Sequence, residues 1–278
     1  MKVTGRRLGR AAAAAAGALA LTVTMAACGG DDGDDSAASV DGIDIVKSGT
    51  LTICTNLPYK PFQYPDDSGE IVGFDTDLLG LLADDMGLET EIVDVDWNQV
   101  TSGAAFKAGK CDVGMGGMTI TPEREAAIAI SDPYFEATQA LLVKADSGIG
   151  GLEDLKGKKL GVQTDTTGEV YANENAAKYG YTPVAFDDLS LEATALKAGR
   201  VDAAINDNGV LYDFVKDNPD TAVATEFDTG EEYGFAAEKD ANGEKLIERL
   251  NGVLKTAQED GTYDEITKKY FGESAVQG

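Results

Sequence analysis

The feature that most limits the fold is an alternation of strand-like and helix-like segments that begins at Thr50. In the first half the strand-like runs are "LTICT", "TEIVDVDW" and "CDVGMGG", and the helical runs between them are "GFDTDLLGLLADDMGL" and "NQVTSGAAFKAGK". In the second half the strand-like runs are "KKLGVQ", "TPVAFD" and "VDAAIND", separated by "GEVYANENAAKYG" and "SLEATALKAGR". Strands that alternate with helices form parallel sheets. The pattern therefore predicts an α/β fold.

The two halves also resemble each other. The stretch "AAFKAGKCDVGMGG" is similar to "ATALKAGRVDAAIND", because each has a helix that stops at Lys-Ala-Gly and then an Asp before an apolar strand. Two similar units predict two lobes of similar construction, each a mostly parallel sheet flanked by helices. Ligands of such sheets bind beyond the carboxyl ends of the strands.

Polar and aromatic residues follow the predicted strands at those ends. A cleft between the lobes would collect two aromatic rings, several hydroxyls and amides, and one aspartate. These residues are Asn56, Tyr59, Trp97, Gly117, Thr119, Gln163, Thr167, Asn206 and Asp207.

A scarce arginine lies in "GGMTITPERE". The chain has six arginines, and three of them belong to the first ten residues. Thr121 and Pro122 predict a helix start, so Arg124 falls in a first turn, where a cation is unfavourable by some tenths of a kcal/mol. The simpler interpretation is a surface arginine beside Glu123 and Glu125.

The alternative for Arg124 is a role in binding an amino acid. Its guanidinium can form a two-bonded fork with a carboxylate, and Thr119 can add a hydrogen bond. Asp207 can pair with the ammonium, while Tyr59 and Trp97 can enclose an aliphatic side chain. Each also has a plainer interpretation, with Asp207 as a helix cap and Trp97 in the core.

The N-terminus has the three-part plan of an export signal. A cationic start is followed by an Ala-rich apolar run that stops before Cys28, which predicts a signal peptide at residues 1–27. The "MAAC" stretch resembles a lipobox and predicts lipidation of Cys28. Residues 28–47 are predicted to be a flexible acidic tether, and residues 273–278 a disordered tail. We expect an extracytoplasmic protein held at the membrane only by its lipid.

Composition excludes several functions. The net charge of −26 becomes −30 when residues 1–27, with four cations and no acid, are removed. Such a surface repels phosphates, so nucleic acid is not expected as a partner. The chain has no histidine, which excludes histidine-dependent catalysis and histidine metal sites. We predict no metal and no cofactor.

Two cysteines lie in strand-like runs. Cys54 and Cys111 could form a disulfide in an exported protein. The predicted strand alignment separates them along the sheet, so we expect buried free thiols instead.

Long ordered motifs carry a resemblance to a known family. The segments "GTLTICTNLPYKPFQYPDDSGEIVGFDTDLLGLLADDMG", "GMTITPEREAAIAISDPYF", "LGVQTDTTGEVY", "YGFAAEKD" and "LNGVLKTAQEDGTYDEITKKYFG" resemble the bacterial extracellular solute-binding proteins for polar amino acids. The resemblance covers nearly all of residues 48–272. It implies two lobes joined by two hinge strands, with lobe 1 at residues 48–135 plus 233–272 and lobe 2 at residues 136–232.

The resemblance also implies roles for individual residues. Arg124 would bind the ligand α-carboxylate, and Thr119 would serve both the carboxylate and the ammonium. The Gly117 carbonyl and Asp207 would accept from the ammonium, and a backbone amide at Thr167 would donate to the ligand. The loop before Thr167 opens with Asp165 where the family has glycine.

The ligand side chain would face three amide residues, Asn56, Gln163 and Asn206. In members of this family that bind cationic ligands, an acidic residue often occupies the Asn56 position. The amides therefore favour a neutral polar ligand such as glutamine. Lys60 leaves glutamate open, and a basic amino acid is a further alternative. The implied partner is the membrane part of an ABC importer. The chain itself is expected to be a monomer and not an enzyme. The alternative functions are a dehydratase-like enzyme on the same scaffold and a sensory ligand-binding domain.

Overall fold

The computed structural model describes residues 38–272. The predictions for the signal peptide, for Cys28, for the first part of the tether and for the C-terminal tail lie outside the described residues. Within residues 38–272, no helix has both the length and the apolar character needed to cross a membrane.

The helices and strands follow the predicted alternation. The strands are β1 Ala38–Val40, β2 Ile43–Ile45, β3 Thr50–Thr55, β4 Tyr64–Pro65, β5 Ile71–Val72, β6 Glu89–Asp94, β7 Val113–Gly114, β8 Ile128–Ile130, β9 Phe135–Lys144, β10 Lys159–Gln163, β11 Thr182–Phe186, β12 Ala203–Asp207, β13 Thr221–Tyr233 and β14 Ala236–Glu238. The helices are α1 Phe74–Met86, α2 Trp97–Thr101, α3 Ala104–Lys107, α4 Pro122–Ala127, α5 Thr167–Tyr179, α6 Leu189–Lys197, α7 Asn208–Asp217, α8 Ala241–Asp260 and α9 Thr262–Phe271, with a 3-10 turn at Leu152–Leu155.

Two five-stranded sheets with the same plan form the two lobes. The first has the order β6-β3-β7-β14-β8, and the second has the order β11-β10-β12-β9-β13. In each sheet the first three strands are parallel and the other two pair antiparallel. The two similar sequence stretches end in β7 and β12, which hold equivalent places beside β3 and β10. The predicted two-lobed α/β fold is confirmed, with mixed sheets.

Two neighbouring strands carry the chain between the sheets. The chain leaves the first sheet after β8 and enters the second through β9, and it returns from β13 to β14. The end of β13 pairs with the start of β9, with Tyr233 opposite Phe135 and Glu231 opposite Ala137. The rings of Phe135 and Tyr233 stack at a centroid distance of 5.6 Å. The division of the chain into lobes at residues 135 and 233 stays a prediction.

Helix α1 shows why one expectation failed. Its apolar face is buried through Leu78, Leu79 and Leu82, and it ends at Gly87 with a left-handed φ of 67°. The stretch "GFDTDLLGLLADDMGL" predicts Asp75 or Thr76 as the cap of its start, but the cap position is Gly73. Asp75 lies inside the helix and is fully buried. Its carboxylate accepts hydrogen bonds from the glycine loop after β7, beside the cleft.

The predicted flexible tether is wrong for its last ten residues. Strands β1 and β2 form an antiparallel hairpin that packs on the body of the protein. Ile43 and Ile45 alternate inward and are 5% and 2% exposed, so their burial fixes this segment.

The prediction of free thiols is also wrong, because Cys54 and Cys111 form a disulfide with Cα atoms 5.7 Å apart. The prediction treated residues 111–117 as a strand running into a loop. Strand β7 begins only at Val113, so Cys111 lies in irregular backbone before it and is not held at the strand spacing. This segment brings Cys111 beside Cys54, near the end of β3.

Candidate ligand-binding site

The structure brings all ten predicted site residues, Asn206 included, to one cavity between the two sheets. Asn56, Tyr59, Trp97, Gly117, Thr119, Arg124, Gln163, Thr167 and Asp207 line it, together with Asn206 and four residues that were not predicted, Gln63, Gly116, Gln139 and Thr166. The cavity measures ≈ 20 Å³, which is room for about one water molecule. An amino acid therefore enters only if the two walls move apart.

Arg124 is a buried cation. Thr121 caps α4 by accepting from the Arg124 backbone N–H, and Pro122 occupies the first turn, as predicted. The side chain is 8% exposed, and its guanidinium donates to the backbone carbonyls of Thr119 at 2.9 Å and Asp165 at 3.0 Å. Burial lowers the pKa of Arg124, while the charges of Asp207 and Glu231 oppose that shift. Among residues 38–272, no carboxylate forms an ion pair with it, so it is placed to receive one.

The glycine loop after β7 holds Trp97 against Arg124. The guanidinium carbon lies 5.7 Å from the centre of the indole. Gly116 has a φ of 151°, and a Cβ there would lie 2.6 Å from the Trp97 ring, so only glycine fits. Asp75 fixes the loop from behind, because its Oδ2 accepts from the N–H groups of Gly116 at 3.2 Å and Gly117 at 3.0 Å.

Glu231 of β13 orients two threonines. It is 8% exposed, and its Oε2 accepts from the hydroxyls of Thr119 at 2.9 Å and Thr167 at 3.0 Å. Because each hydroxyl donates its one proton to Glu231, only its lone pairs remain to accept a hydrogen bond from a group in the cleft. Both threonines then act as acceptors, which suits an ammonium group.

Asp207, at the end of β12, accepts three hydrogen bonds. The Tyr59 hydroxyl donates to Oδ2 at 2.6 Å, the Tyr233 hydroxyl donates to Oδ2 at 2.5 Å, and the Gln139 amide donates to Oδ1 at 2.5 Å. Burial, followed by the charge of Glu231, raises the pKa of Asp207 to about 6. Gln139 also donates to Glu231 at 3.1 Å, so its amide bridges two buried carboxylates, of which Asp207 lines the cavity.

The three predicted amides form one chain across the cleft. Gln163 donates to the Asn56 side-chain carbonyl at 3.3 Å, and Asn206 donates to the Gln163 carbonyl at 3.5 Å. Lys60, considered above as a partner for glutamate, does not line the cavity. Its ammonium lies 3.2 Å from carboxylate oxygens of both Asp213 and Asp217.

The loop before α5 has a left-handed backbone at Asp165, a conformation that favours glycine. Asp165 has a φ of 62°, in the left-handed region that aspartate adopts more readily than most residues. Its carbonyl accepts from Arg124, and Thr166 then caps α5 by accepting from the Glu169 N–H. The positive end of this 13-residue helix therefore faces the cleft beside Thr167.

Behind the amides lies a buried acid, Glu192 of α6. It accepts from the Ile205 N–H at 3.1 Å and from the Asn206 amide at 3.2 Å, which fixes Asn206. Burial, followed by the charge of Asp207, raises the pKa of Glu192 to about 8.

The raised pKa of Glu192 predicts a stability that falls as the pH rises. Its pKa in the fold is above its ordinary value of 4.5, so the folded protein holds the proton more tightly than the unfolded chain. The stabilisation is complete below pH 4.5 and is lost as the pH rises through about 8. The free energy of unfolding, from urea titrations, should therefore fall between pH 6 and pH 8.5. The pKa values of Asp75 and Asp207 are both raised to about 6, so these acids act in the same direction but mostly below pH 6.

The variant Glu192→Gln separates this effect from the other acids. Glutamine cannot ionise, so the free energy of unfolding of this variant should fall less over the same range. It keeps one acceptor oxygen and therefore only one of the two hydrogen bonds, so its free energy of unfolding at low pH serves as its own reference. Equal pH dependence in wild type and variant would show that Glu192 is not the cause.

The described residues offer no metal site. Among residues 38–272, no cluster of three or more acids and cysteines could hold a metal ion. The charged groups that line the cavity are one guanidinium and one carboxylate, which match the two charged groups of an α-amino acid.

Comparison with known proteins gives the family. Residues 51–273 match the model of the bacterial extracellular solute-binding proteins, family 3. A protein named "Probable histidine-binding protein" from Neisseria gonorrhoeae is 32% identical over 260 residues, which cover 92% of this chain and 93% of that protein. "ABC transporter arginine-binding protein 1" of Escherichia coli (strain K12) is 32% identical over 218 residues, which cover 77% and 87%.

A solved structure is also similar to this chain. An ancestral arginine-binding protein bound to glutamine has a TM-score of 0.75 and 42% identity, and the match covers 81% of this chain and 99% of that one. With the family model matching most of the sequence, the chain belongs to family 3 of the bacterial extracellular solute-binding proteins.

Proposed function

We propose that this chain binds a polar L-amino acid between its lobes, outside the cytoplasm, and delivers it to the membrane subunits of an ABC importer. The observation that carries the proposal is the pair of buried groups, Arg124 and Asp207, on the wall of one cavity. The guanidinium would exchange the Asp165 carbonyl for the ligand α-carboxylate. Asp207 and the hydroxyls of Thr119 and Thr167 would accept from the ammonium.

Binding would change the distance between the lobes. Tyr59 and Arg124 belong to the first lobe, and each bonds to the second, at Asp207 and Asp165. A ligand would replace these direct bonds with bonds through itself, and the lobes at residues 48–135 plus 233–272 and 136–232 would open to admit it. The paired strands β9 and β13 would act as the hinge.

The preferred ligand is neutral, with glutamine ahead of glutamate and the basic amino acids. Support comes from the chain of neutral amides at Asn56, Gln163 and Asn206 and from the ion pairs that hold Lys60 outside the cavity. The relatives named for histidine and arginine make cationic ligands the first alternative to test.

Calorimetry of the ligand-stripped protein against the twenty amino acids tests this function. We expect one-to-one binding of one or two polar amino acids without any turnover. Steady formation of a product would replace the proposal with the dehydratase-like alternative. An absence of binding to all twenty would contradict it outright.

The membrane attachment is a separate proposal. A signal peptide at residues 1–27 and a lipid on Cys28 would hold a monomer at the outer face of the cell membrane through an acidic linker. The variant Cys28→Ser should move the protein from the membrane fraction into the medium, as measured by fractionation and immunoblotting. A variant that stays with the membrane would exclude a lipid on Cys28 as the anchor.

A further inference from the structure

Gln63 is the one residue of the cleft wall whose side-chain amide is left wholly unpaired by the described chain. It is 0% exposed and lines the cavity near Trp97 and Gly116. Its backbone is fixed by a bridge to Tyr59, because the Tyr59 N–H donates to the Gln63 carbonyl at 2.8 Å and the Gln63 N–H donates to the Tyr59 carbonyl at 3.1 Å. Phe62, beside it, is fully buried in the apolar core. The amide is therefore held at the cavity.

Neither polar atom of that amide has a hydrogen-bond partner. Among the described residues, both Nε2 and Oε1 of Gln63 are buried and unpaired. A buried donor or acceptor without a partner costs about 1–3 kcal/mol, and native proteins seldom leave two such atoms on one side chain. The missing partner has to come from a molecule that enters the cavity.

The chemistry of the amide selects the partner. Nε2 donates and Oε1 accepts, so one group with both a donor and an acceptor satisfies both atoms. A carboxylate only accepts and would leave Oε1 unpaired, whereas a guanidinium or ammonium only donates and would leave Nε2 unpaired. A primary carboxamide does both with a donor and an acceptor that point the same way, whereas a hydroxyl has a single oxygen for both and the two nitrogens of a neutral imidazole point apart.

We propose that Gln63 determines specificity by pairing with a carboxamide on the ligand side chain, so that the ligand is glutamine or asparagine. This inference rests on the proposed function, in which Arg124 and Asp207 hold the α-carboxylate and the ammonium. The α-carboxylate and the ammonium of the ligand then pair with Arg124 and Asp207, the charged side chains that line the cavity. The carboxamide is left to Gln63 and to the neutral amides of Asn56 and Gln163.

The test is a pair of titrations on the wild type and on Gln63→Met, whose side chain has a similar length and no polar hydrogen-bonding group. Calorimetry of the ligand-stripped proteins would use L-glutamine and L-methionine as probes, with L-arginine and L-glutamate for comparison. We expect wild type to bind L-glutamine at least tenfold more tightly than any of the other three. Gln63→Met should weaken L-glutamine by about 10- to 100-fold, the loss of one or two buried hydrogen bonds. Its affinity for L-methionine should stay within threefold of wild type.

Thermal melting without ligand separates this role from a structural one. Because Gln63→Met removes two unpaired buried atoms, its melting temperature should equal or exceed that of wild type. The exposed Gln258 of α8 supplies the control Gln258→Met, which should change neither affinity nor melting temperature.

Three results would overturn the inference. A wild type that prefers L-arginine or L-glutamate would exclude a carboxamide ligand while leaving amino-acid binding intact. An unchanged ratio of L-glutamine to L-methionine affinity in Gln63→Met would mean that Gln63 pairs only with water. A lower melting temperature with equal loss for both probes would mean that Gln63 only supports the fold. Failure of wild type to bind any amino acid would instead remove the proposed function itself.

Discussion

Replacing Arg124 with alanine is expected to weaken amino-acid binding at least a hundredfold and to leave the protein folded. The guanidinium is buried, and in the proposed complex the α-carboxylate is its only anionic partner. Removing one partner of a buried charge pair costs about 3–5 kcal/mol, and each 1.4 kcal/mol is a factor of about ten in affinity. Calorimetry with the tightest-binding amino acid measures the loss. The fold should survive because Thr121 and Pro122 still begin α4.

Two further arginine variants make this result specific. Arg200 is exposed, so Arg200→Ala removes the same charge from the surface and should leave affinity unchanged. Arg124→Lys keeps the charge but loses the two-bonded fork, so its affinity should lie between those of wild type and Arg124→Ala. If Arg124→Ala binds within threefold of wild type, the α-carboxylate lies elsewhere.

Removing the disulfide with Cys54→Ala and Cys111→Ala together is expected to lower the free energy of unfolding by about 2–4 kcal/mol. The two cysteines are 57 residues apart, so the bond closes a long loop and restricts the unfolded chain. Both residues are buried, which makes the loss of their packing a further small cost. Urea titrations of the two proteins measure the difference.

The same bond also supports the site. Cys54 lies one residue before the end of β3, which leads to Asn56 and Tyr59, and Cys111 precedes β7, which leads to Gly117 and Thr119. The double variant should therefore bind its ligand more weakly as well. A reducing agent should destabilise wild type but have no effect on the double variant. If the reducing agent shifts both proteins equally, the disulfide is not the cause.

Much of the cleft could be predicted because strand ends in parallel sheets converge. Arg124 stood out as a scarce cation at an unfavourable helix position, and Asp207 followed a strand. The family resemblance then joined these residues to Thr119 and Thr167, and the structure places them around one cavity. Their roles toward a ligand stay predictions until binding is measured.

The residues that were missed depend on contacts between distant segments. Glu231 belongs to an acidic stretch that reads as a solvated strand, and it is buried only because β13 pairs with β9 at the crossing between the sheets. Asp75 has the spacing of a helix cap, yet the glycine loop after β7 covers it. Gln139 gave one weak signal, because it is a polar residue directly before the apolar run "ALLV".

The most direct test of the account compares an amino acid with its own α-amide, in which a neutral amide replaces the α-carboxylate. Calorimetry would measure the tightest-binding amino acid and its α-amide on ligand-stripped wild type and on Arg124→Ala. If Arg124 binds the α-carboxylate, wild type should prefer the acid by about a hundredfold or more, as expected for a buried ion pair, and the variant should lose most of that preference. A wild type that binds both equally, or a variant that keeps the full preference, would contradict the account.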